Sequence, residues 1–160
     1  MKLFKIYNDI LLEKFDIEKS NLNDNFYKWF GNSKVVNNNG NPLICYHGTG
    51  ADVKEFFKDK LGSRESYFFF TSNKNHAKEY GNYLISVYLK SERFIELDEN
   101  YRDSNNNQYD TDSEDFRNKY NGFVVEKNTE WNEYVVFNPN QIKSINNDGS
   151  WDLNDNNIYS

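Results

Sequence analysis

One cysteine, Cys45, is present among the 160 residues, so an intrachain disulfide is excluded. Cys45 lies in an apolar run, and we interpret it as a buried and unreactive thiol. The chain has two histidines, which together with the cysteine lack the spacing of a zinc site. The aspartates between positions 98 and 115 lack the glycine and the final glutamate of a calcium-binding loop. We therefore predict no bound metal.

Long apolar runs and basic stripes are also missing. No stretch reaches the roughly 20 apolar residues that a membrane-spanning helix needs, and polar residues interrupt any signal-peptide core near the start. The net charge is −6, and residues 81–160 carry 7 basic and 15 acidic residues. Such a surface disfavours tight nucleic-acid binding, and no membrane partner is expected. We expect a cytoplasmic protein, or one that a secretion machine or a larger parent polypeptide delivers into a target cell.

Aromatic residues are abundant, with 12 Tyr and 13 Phe. Large rings bury much area each, so they can fill a core although the hydrophobic fraction is 37%. The length predicts one domain over residues 1–160. Its core is expected to cover about residues 22–146, and the Asn- and Asp-rich residues 147–160 are predicted to form a loose C-terminal tail that Trp151 anchors.

Many short strands, few helices and no regular alternation of strand and helix indicate an α+β fold. Helices are predicted over residues 6–16, 23–30, 72–80 and 113–120. Strands are predicted over residues 33–36, 43–46, 67–71, 83–89, 94–97, 122–126, 134–137 and 142–145, the first two as a hairpin. Ser72 and Ser113 are expected to cap helices, and Gly31 to end one. Residues 98–113 are predicted to form a mobile loop.

Three motifs lie beside predicted strands. His47-Gly48-Thr49 follows one apolar run, and Asn132-Glu133 opens another. Between them, the aromatic run from Tyr67 to Phe70 leads into a helical pattern that ends at Tyr80. Aromatic side chains suit a flat ligand ring, and a glycine lets a polar group approach the backbone. A single carboxylate can stabilise a positively charged transition state.

In this order the motifs resemble the ADP-ribosyltransferase fold, in the His-Tyr-Glu branch that includes diphtheria toxin and poly(ADP-ribose) polymerases. His47-Gly48-Thr49 is similar to the family's His-Gly-Thr/Ser motif. The segment from Tyr67 to Tyr80 looks like its Tyr-Phe, gap, Ala-x-x-Tyr pattern, and Asn132-Glu133-Tyr134-Val135 resembles its Asn-Glu-Tyr-Ile/Val motif. The resemblance implies two small, mostly antiparallel sheets that form an NAD cleft, with helices near the N-terminus.

The resemblance extends to the sequence that flanks these motifs. Residues 33–43 and 137–144 are similar to small transferase domains of phage and mobile-element polyvalent proteins. The resemblance therefore covers roughly residues 22–146. It implies a toxin or phage-type effector, and with it a possible cognate antitoxin or immunity protein.

The implied reaction is transfer of ADP-ribose from NAD to a macromolecular acceptor, protein or nucleic acid, with release of nicotinamide. The residues implied to bind NAD are His47, Gly48, Thr49, Phe69, Phe70 and Tyr80. His47 would contact ribose and Gly48 the carboxamide. Phe69, or Phe70 if the register differs by one, would stack on nicotinamide together with Tyr80. Glu133 is the implied catalytic carboxylate, with His47 assisting it.

Two positions before Glu133 the sequence departs from some relatives. Toxins that modify arginine usually carry Glu or Gln there, and this chain has Trp131. Glu130 lies one residue further away and is not a substitute. Arginine modification is thus disfavoured, and Trp131 and Asn132 are expected to contact the target instead.

Other interpretations of the same residues stay open. His47 can be a turn histidine, Glu133 a solvated edge residue, and His76 is expected to be a surface helix residue. The alternative functions are an NAD glycohydrolase, in which water is the acceptor, and a catalytically inactive NAD- or partner-binding module. A nuclease or phosphotransferase with His47 as base is disfavoured, because a second catalytic histidine and a basic stripe are missing.

Overall fold

In the computed structural model, which describes residues 22–58, 67–127 and 131–160, the chain folds around one sheet of seven strands. The strands are β1 (Cys45–Thr49), β2 (Phe68–Thr71), β3 (Tyr83–Leu89), β4 (Phe94–Leu97), β5 (Gly122–Glu126), β6 (Asn132–Val136) and β7 (Ile142–Ser144). The α-helices are α1 (Asp24–Phe30), α2 (Lys74–Ala77) and α3 (Glu114–Lys119), and short 3₁₀ helices cover Lys78–Tyr80 and Pro139–Gln141. The helix predicted over residues 6–16 lies outside the described residues.

The strand order is β4-β5-β6-β2-β1-β3-β7, and every neighbouring pair except β4–β5 is antiparallel. The predicted two sheets are therefore one continuous sheet among the described residues. Its two halves meet at β1 and β2, which share a single registered residue pair, Tyr46 and Thr71. By contrast, β1 pairs with β3 over five residues. Beyond the Tyr46–Thr71 pair no further register pair joins β1 to β2, although the two separate sheets that the resemblance implied are not seen.

Helix α1 closes one side of the sheet with aromatic side chains. Asn23 caps it by accepting a hydrogen bond from the Phe26 backbone N–H, and Gly31 ends it at a φ of 56°. Helical spacing puts three rings on one face, where they pack with Tyr88 and Trp151; these buried rings are Phe26, Trp29 and Phe30. The helix predicted over residues 23–30 is confirmed within one residue.

The core below β1 and β3 is apolar and includes the single cysteine. Cys45 is fully buried, and this burial raises the pKa of its thiol far above the ordinary value. Val87 and Leu89 of β3 and Ile142 of β7 are buried in the same cluster. The predicted burial of Cys45 is confirmed, and burial keeps its thiol protonated and unreactive.

The C-terminal segment packs against the domain, which differs from the predicted loose tail. Trp151 is 2% exposed and Ile158 is fully buried. The Ile158 backbone N–H donates to the Lys54 carbonyl, and its own carbonyl accepts from Ser144, both at 2.8 Å. The buried Lys143 ammonium donates to the Asp155 and Asn157 carbonyls at 2.8 and 2.9 Å. Two apolar anchors hold a segment whose average composition is polar, so composition alone misled the prediction.

Replacing Ile158 with Ala should therefore destabilise the whole domain. The loss of a fully buried aliphatic side chain costs roughly 2–5 kcal/mol of unfolding free energy, because a cavity remains. Urea unfolding monitored by tryptophan fluorescence measures it. Leu153→Ala is the matched control in the same segment, since Leu153 is 44% exposed and should change stability by less than about 0.5 kcal/mol. Equal stability of the Ile158 variant and the wild type would show that the segment contributes nothing to the core.

Several predicted boundaries shift. Strand β1 runs from Cys45 through Thr49 rather than ending at Tyr46, because its last residues pair with β3. The hairpin before it is reduced to one bridge, between Val36 and Pro42. The N-cap of α2 is Asn73 instead of Ser72, and the Asn73 side-chain oxygen accepts from the backbone N–H groups of Asn75 and His76. Ser113 caps α3 as predicted.

Residues 98–113 form a series of hydrogen-bonded turns where a mobile loop was predicted. The Asp98 carboxylate accepts from the backbone N–H of Asn100 and Arg102, and the Asp103 carboxylate accepts from Asn107 and the Tyr109 hydroxyl. These hydrogen bonds, led by the one from the Asn107 side chain, lower the pKa of Asp103 to about 2. Asx side chains thus order a stretch that few apolar residues support.

None of the helices in the described ranges has both the length and the apolar character that crossing a membrane requires.

Candidate active site

A pocket of about 400 Å³ opens where β1 and β2 separate, and we name it the His47 pocket. It is lined by Tyr46, His47, Gly48, Phe69, Phe70, Thr71, His76, Ala77, Tyr80, Trp131 and Glu133. Residues more than eighty positions apart in sequence therefore share one cavity. Most of its wall is aromatic or apolar, and Glu133 is the one carboxylate among the described residues that line it. The arrangement suits a flat, partly polar ligand.

The ring of His47 is held in a fixed orientation. Its Nδ1 lies 2.8 Å from the Phe69 carbonyl oxygen, across the gap between β1 and β2. A carbonyl can only accept, so Nδ1 carries a proton and Nε2 is the nitrogen left to meet a ligand. Phe56 and Phe70 pack against the ring, with centroids 5.2 and 5.5 Å away. The protein thus selects the tautomer and the angle of this side chain.

Gly48 allows helix α2 to lie directly on β1. A Cβ atom at this position would be 1.7 Å from the Ala77 carbonyl oxygen and 3.2 Å from the Tyr80 Cβ. No other residue type fits without displacement of the backbone. This close approach brings Tyr80, which is 65% exposed, to the rim of the His47 pocket.

Glu133 lies on β6, opposite Thr71 of β2 and Val125 of β5. Its side chain is 26% exposed, and its carboxylate lies 3.9 Å from the Lys127 ammonium. The carboxylate is therefore half-buried at the pocket edge, accessible to a ligand and with a cation nearby. This agrees with the prediction of a lone carboxylate beside a buried strand.

The two adjacent phenylalanines of β2 point to opposite faces of the sheet. Phe69 is 45% exposed, and its ring is accessible to a ligand. Phe70 is 3% exposed and packs in the core beside His47. Of the two registers left open by the sequence, the one that places Phe69 at the pocket surface fits an exposed stacking ring.

His76 and Trp131 form a stacked pair on the pocket wall. Their ring centroids are 4.2 Å apart at an interplanar angle of 21°. The Tyr80 hydroxyl lies 3.4 Å from His76 Nε2, and His76 Nδ1 lies 3.4 Å from the Glu79 carboxylate. His76 is therefore a pocket residue, where a surface helix residue was expected. The four-residue spacing of His76 and Tyr80 puts both on one helical face, a signal available in the sequence.

Two of the predicted site residues lie outside the lining. Thr49 pairs with Tyr83, and its hydroxyl accepts from the Ala51 backbone N–H at 3.3 Å. Asn132 precedes Glu133 on β6, so its side chain points to the opposite face of the sheet, the face of Tyr134. Tyr46 and Thr71 line the pocket although no role was predicted for them, and so does Ala77, the alanine of the Ala-x-x-Tyr pattern.

The described ranges contain no group of three or more His, Cys, Asp or Glu side chains placed to hold a metal ion.

A family model matches residues 37–152, which is most of the chain, and its description is "ADP-Ribosyltransferase in polyvalent proteins". The match spans both sides of the His47 pocket, from before β1 to beyond β7. No curated protein and no solved structure matches the chain.

Proposed function

Because this chain belongs to the ADP-ribosyltransferase family of polyvalent proteins, we propose that it transfers ADP-ribose from NAD to a macromolecular acceptor and releases nicotinamide. One observation carries the proposal: the His47 pocket combines an oriented histidine, a bare glycine backbone, exposed rings and one half-buried carboxylate. Nicotinamide is a flat ring with one carboxamide, joined to a ribose, and each part has a counterpart in the pocket wall.

The binding roles follow from the chemistry of each group. Phe69 and Tyr80 offer exposed ring faces for stacking on nicotinamide. The backbone of Gly48, free of a side chain, offers a donor and an acceptor to the carboxamide. His47 Nε2 is available to a ribose hydroxyl, because Nδ1 is held by the Phe69 carbonyl.

The chemical step needs little acid catalysis. When the bond between ribose C1′ and nicotinamide breaks, its electron pair neutralises the pyridinium ring, so the leaving group needs no proton. Positive charge then develops on the sugar, as in glycoside cleavage. The Glu133 carboxylate stabilises this charge and holds the ribose hydroxyl beside it, and the acceptor adds at C1′ as it loses a proton.

The finer assignments are part of the same proposal. The His47, Tyr80 and Glu133 set fits the His-Tyr-Glu branch of the family. Trp131 stacks on His76 at the pocket wall, beside Glu133. We propose that Trp131 also contacts the target. The domain acts as a toxin or phage-type effector, and a cognate antitoxin is expected. The family's occurrence in polyvalent proteins supports this setting.

Labelled NAD tests the proposal. The full chain is incubated with NAD labelled in its ADP-ribose part, in a cell lysate, while nicotinamide release is measured and protein and nucleic-acid fractions are counted separately. Incorporation into either fraction supports the transferase. Nicotinamide release without incorporation identifies an NAD glycohydrolase instead, and NAD binding without release identifies an inactive binding module.

Tyr80→Ala should raise the KM for NAD roughly tenfold, because one aromatic stacking contact is worth about 1 kcal/mol or slightly more. The turnover number should change less, since stacking holds ground state and transition state alike. Tyr80→Phe keeps the ring and should stay near the wild-type KM. Tyr83→Ala is the matched control, because Tyr83 is 49% exposed and lies outside the pocket lining. Equal KM values for Tyr80→Ala and wild type would remove Tyr80 from the NAD site.

A further inference from the structure

A second cavity of about 410 Å³ lies on the other side of Glu133, and we name it the acidic pocket. It is lined by Tyr67, Phe69, Tyr101, Tyr109, Asp110, Thr111, Asp112, Phe123 and Glu133. Phe69 and Glu133 line both cavities, so these two side chains form the ridge between them. A group bound in the acidic pocket would reach the same carboxylate as a ribose bound in the His47 pocket.

The acidic pocket combines aromatic walls with carboxylates. Tyr67, Tyr101 and Tyr109 supply ring faces, and Asp110 and Asp112 lie at an exposed rim. The Tyr67 hydroxyl donates to the Thr111 carbonyl, which ties β2 to this rim. Burial raises the pKa of Tyr67; nearby Arg117 opposes the shift, and the charges of Asp112 and Asp110 add to it. One guanidinium and two carboxylates therefore act on the cavity wall at Tyr67, and the effect of Arg117 is the largest of the three.

A cation from the chain itself already lies at the edge of this cavity. The Lys127 ammonium is 5.6 Å from the centroid of the Tyr101 ring and 3.9 Å from the Glu133 carboxylate. Both partners line the acidic pocket. Lys127 thus demonstrates that a charged nitrogen can stand on an aromatic face and beside the carboxylate at the same time.

We propose that the acidic pocket is the acceptor subsite and that it takes the cationic side chain of a lysine or arginine in a protein acceptor. This inference rests on the proposed transferase function and names its substrate class. The aromatic faces bind the cation, and Asp110 and Asp112 attract it to the rim. Lys127, whose ammonium lies at the edge of the pocket in the free protein, moves aside when the acceptor enters.

The transfer step is balanced for such an acceptor. The bound side-chain nitrogen first gives one proton to Glu133, which passes it to solvent, and the lone pair that this frees then forms the bond to ribose C1′. The bond from C1′ to nicotinamide breaks, and its electron pair stays with the nicotinamide ring, which becomes neutral. The products are the modified side chain, nicotinamide and one proton.

Charge decides between a protein and a nucleic-acid acceptor. The lining contains three carboxylates and no basic side chain among the described residues, while Arg117 and Lys127 lie nearby. Residues 81–160 carry 15 acidic against 7 basic residues, so a phosphate backbone is disfavoured at this face. The motif at Trp131 disfavours arginine, but it covers only the residues immediately before Glu133. Asp110 and Asp112 supply carboxylates to the same ridge from a segment some twenty positions earlier.

The first arm of the test compares acceptors. Wild-type protein is incubated with labelled NAD and, separately, with short oligolysine, short oligoarginine, an acidic peptide, single-stranded RNA and single-stranded DNA. We expect label in oligolysine or oligoarginine and in neither nucleic acid. The two basic peptides distinguish the lysine source from the arginine source. Label that enters RNA or DNA and no peptide would overturn the proposal.

The second arm uses paired variants. Asp110→Asn with Asp112→Asn should lower the ratio of peptide transfer to acceptor-free nicotinamide release roughly tenfold, the size expected for the loss of two partly exposed charge contacts. Glu114→Gln with Asp115→Asn removes the same charge from the exposed first turn of α3 and should leave the ratio unchanged. Equal losses in both pairs would mean bulk attraction and would overturn the subsite.

The third arm measures peptide binding without turnover. Titration calorimetry with the basic peptide should show weaker binding to the variant that carries Asp110→Asn and Asp112→Asn. The Lys127→Gln variant should bind the peptide a few-fold more tightly than wild type, because the Lys127 ammonium no longer competes for the pocket. Unchanged binding in both variants would overturn the proposal. If the wild type releases no nicotinamide under any condition, the proposed transferase function fails, and these titrations alone decide whether the pocket binds a cation.

Discussion

Glu133→Gln should reduce nicotinamide release from NAD by roughly a hundredfold or more, the usual effect of removing one group that stabilises transition-state charge. The amide keeps the size of the side chain and loses its negative charge. The KM for NAD should change little by comparison, because rings and backbone make most of the ground-state contacts. Steady-state release of nicotinamide from the full chain measures both quantities.

Glu126→Gln is the matched control for this variant. Glu126 ends β5, is exposed and lies outside both pocket linings. Its replacement should leave the rate within about twofold of wild type, as expected for a surface change. Thermal unfolding should be nearly the same for all three proteins, since the partly exposed ion pair of Glu133 with Lys127 contributes at most about 1 kcal/mol. Full activity in Glu133→Gln would remove the carboxylate from the mechanism.

Gly48→Ala should both weaken NAD binding and destabilise the protein. The added methyl carbon would lie 1.7 Å from the Ala77 carbonyl oxygen, far closer than two non-bonded atoms can approach. Helix α2 must therefore move away from β1 by more than about an ångström. Overpacking of this kind costs roughly 1–3 kcal/mol of unfolding free energy. Because α2 and the following turn carry His76 and Tyr80, we expect the Kd for NAD to rise by about tenfold or more.

Gly50→Ala provides the comparison that isolates the close approach. Gly50 follows β1 directly, and an added Cβ there would meet no atom within 4 Å. Calorimetric titration with NAD and thermal unfolding of both variants measure the two effects. If the Gly48 and Gly50 variants behaved alike, the contact between β1 and α2 would have no part in shaping the pocket.

The strands with clear local signals could be predicted from sequence. Residues 83–89, 94–97 and 122–126 match β3, β4 and β5 without adjustment. Alternating or continuous apolar runs bounded by Gly, Ser or Asn set their limits locally. The cap at Ser113 was predictable for the same reason, because its side chain acts within its own helical turn.

Features that depend on distant partners were not predictable in this way. The last residues of β1 read as a turn because they include Gly48, yet pairing with β3 extends the strand through Thr49. The segment after residue 146 read as a loose tail, but Ile158 packs into a core formed by residues far earlier in the chain. Tertiary contacts outweigh local propensity in both cases.

For the candidate site, the sequence supplied chemistry and left out geometry. Resemblance to known motifs identified His47, Gly48, Tyr80 and Glu133, which the fold brings to one pocket. It also suggested Thr49, whose hydroxyl instead accepts a hydrogen bond from the Ala51 backbone N–H in the turn after β1. The acidic pocket was beyond reach, since Asp110 and Asp112 lie in a polar stretch that resembles any solvated loop until the fold places it beside Glu133.

A single registered backbone pair joins the two halves of the sheet, and the candidate site lies across this line. His47, Gly48 and Tyr80 belong to the half that contains β1, whereas Phe69, Trp131 and Glu133 belong to the half that contains β2. Backbone pairing is therefore not what fixes the distance between these two groups of side chains. Phe68 and Val136 of one half pack with Cys45 and Val87 of the other in a single buried cluster, so side-chain packing sets the width of the candidate site.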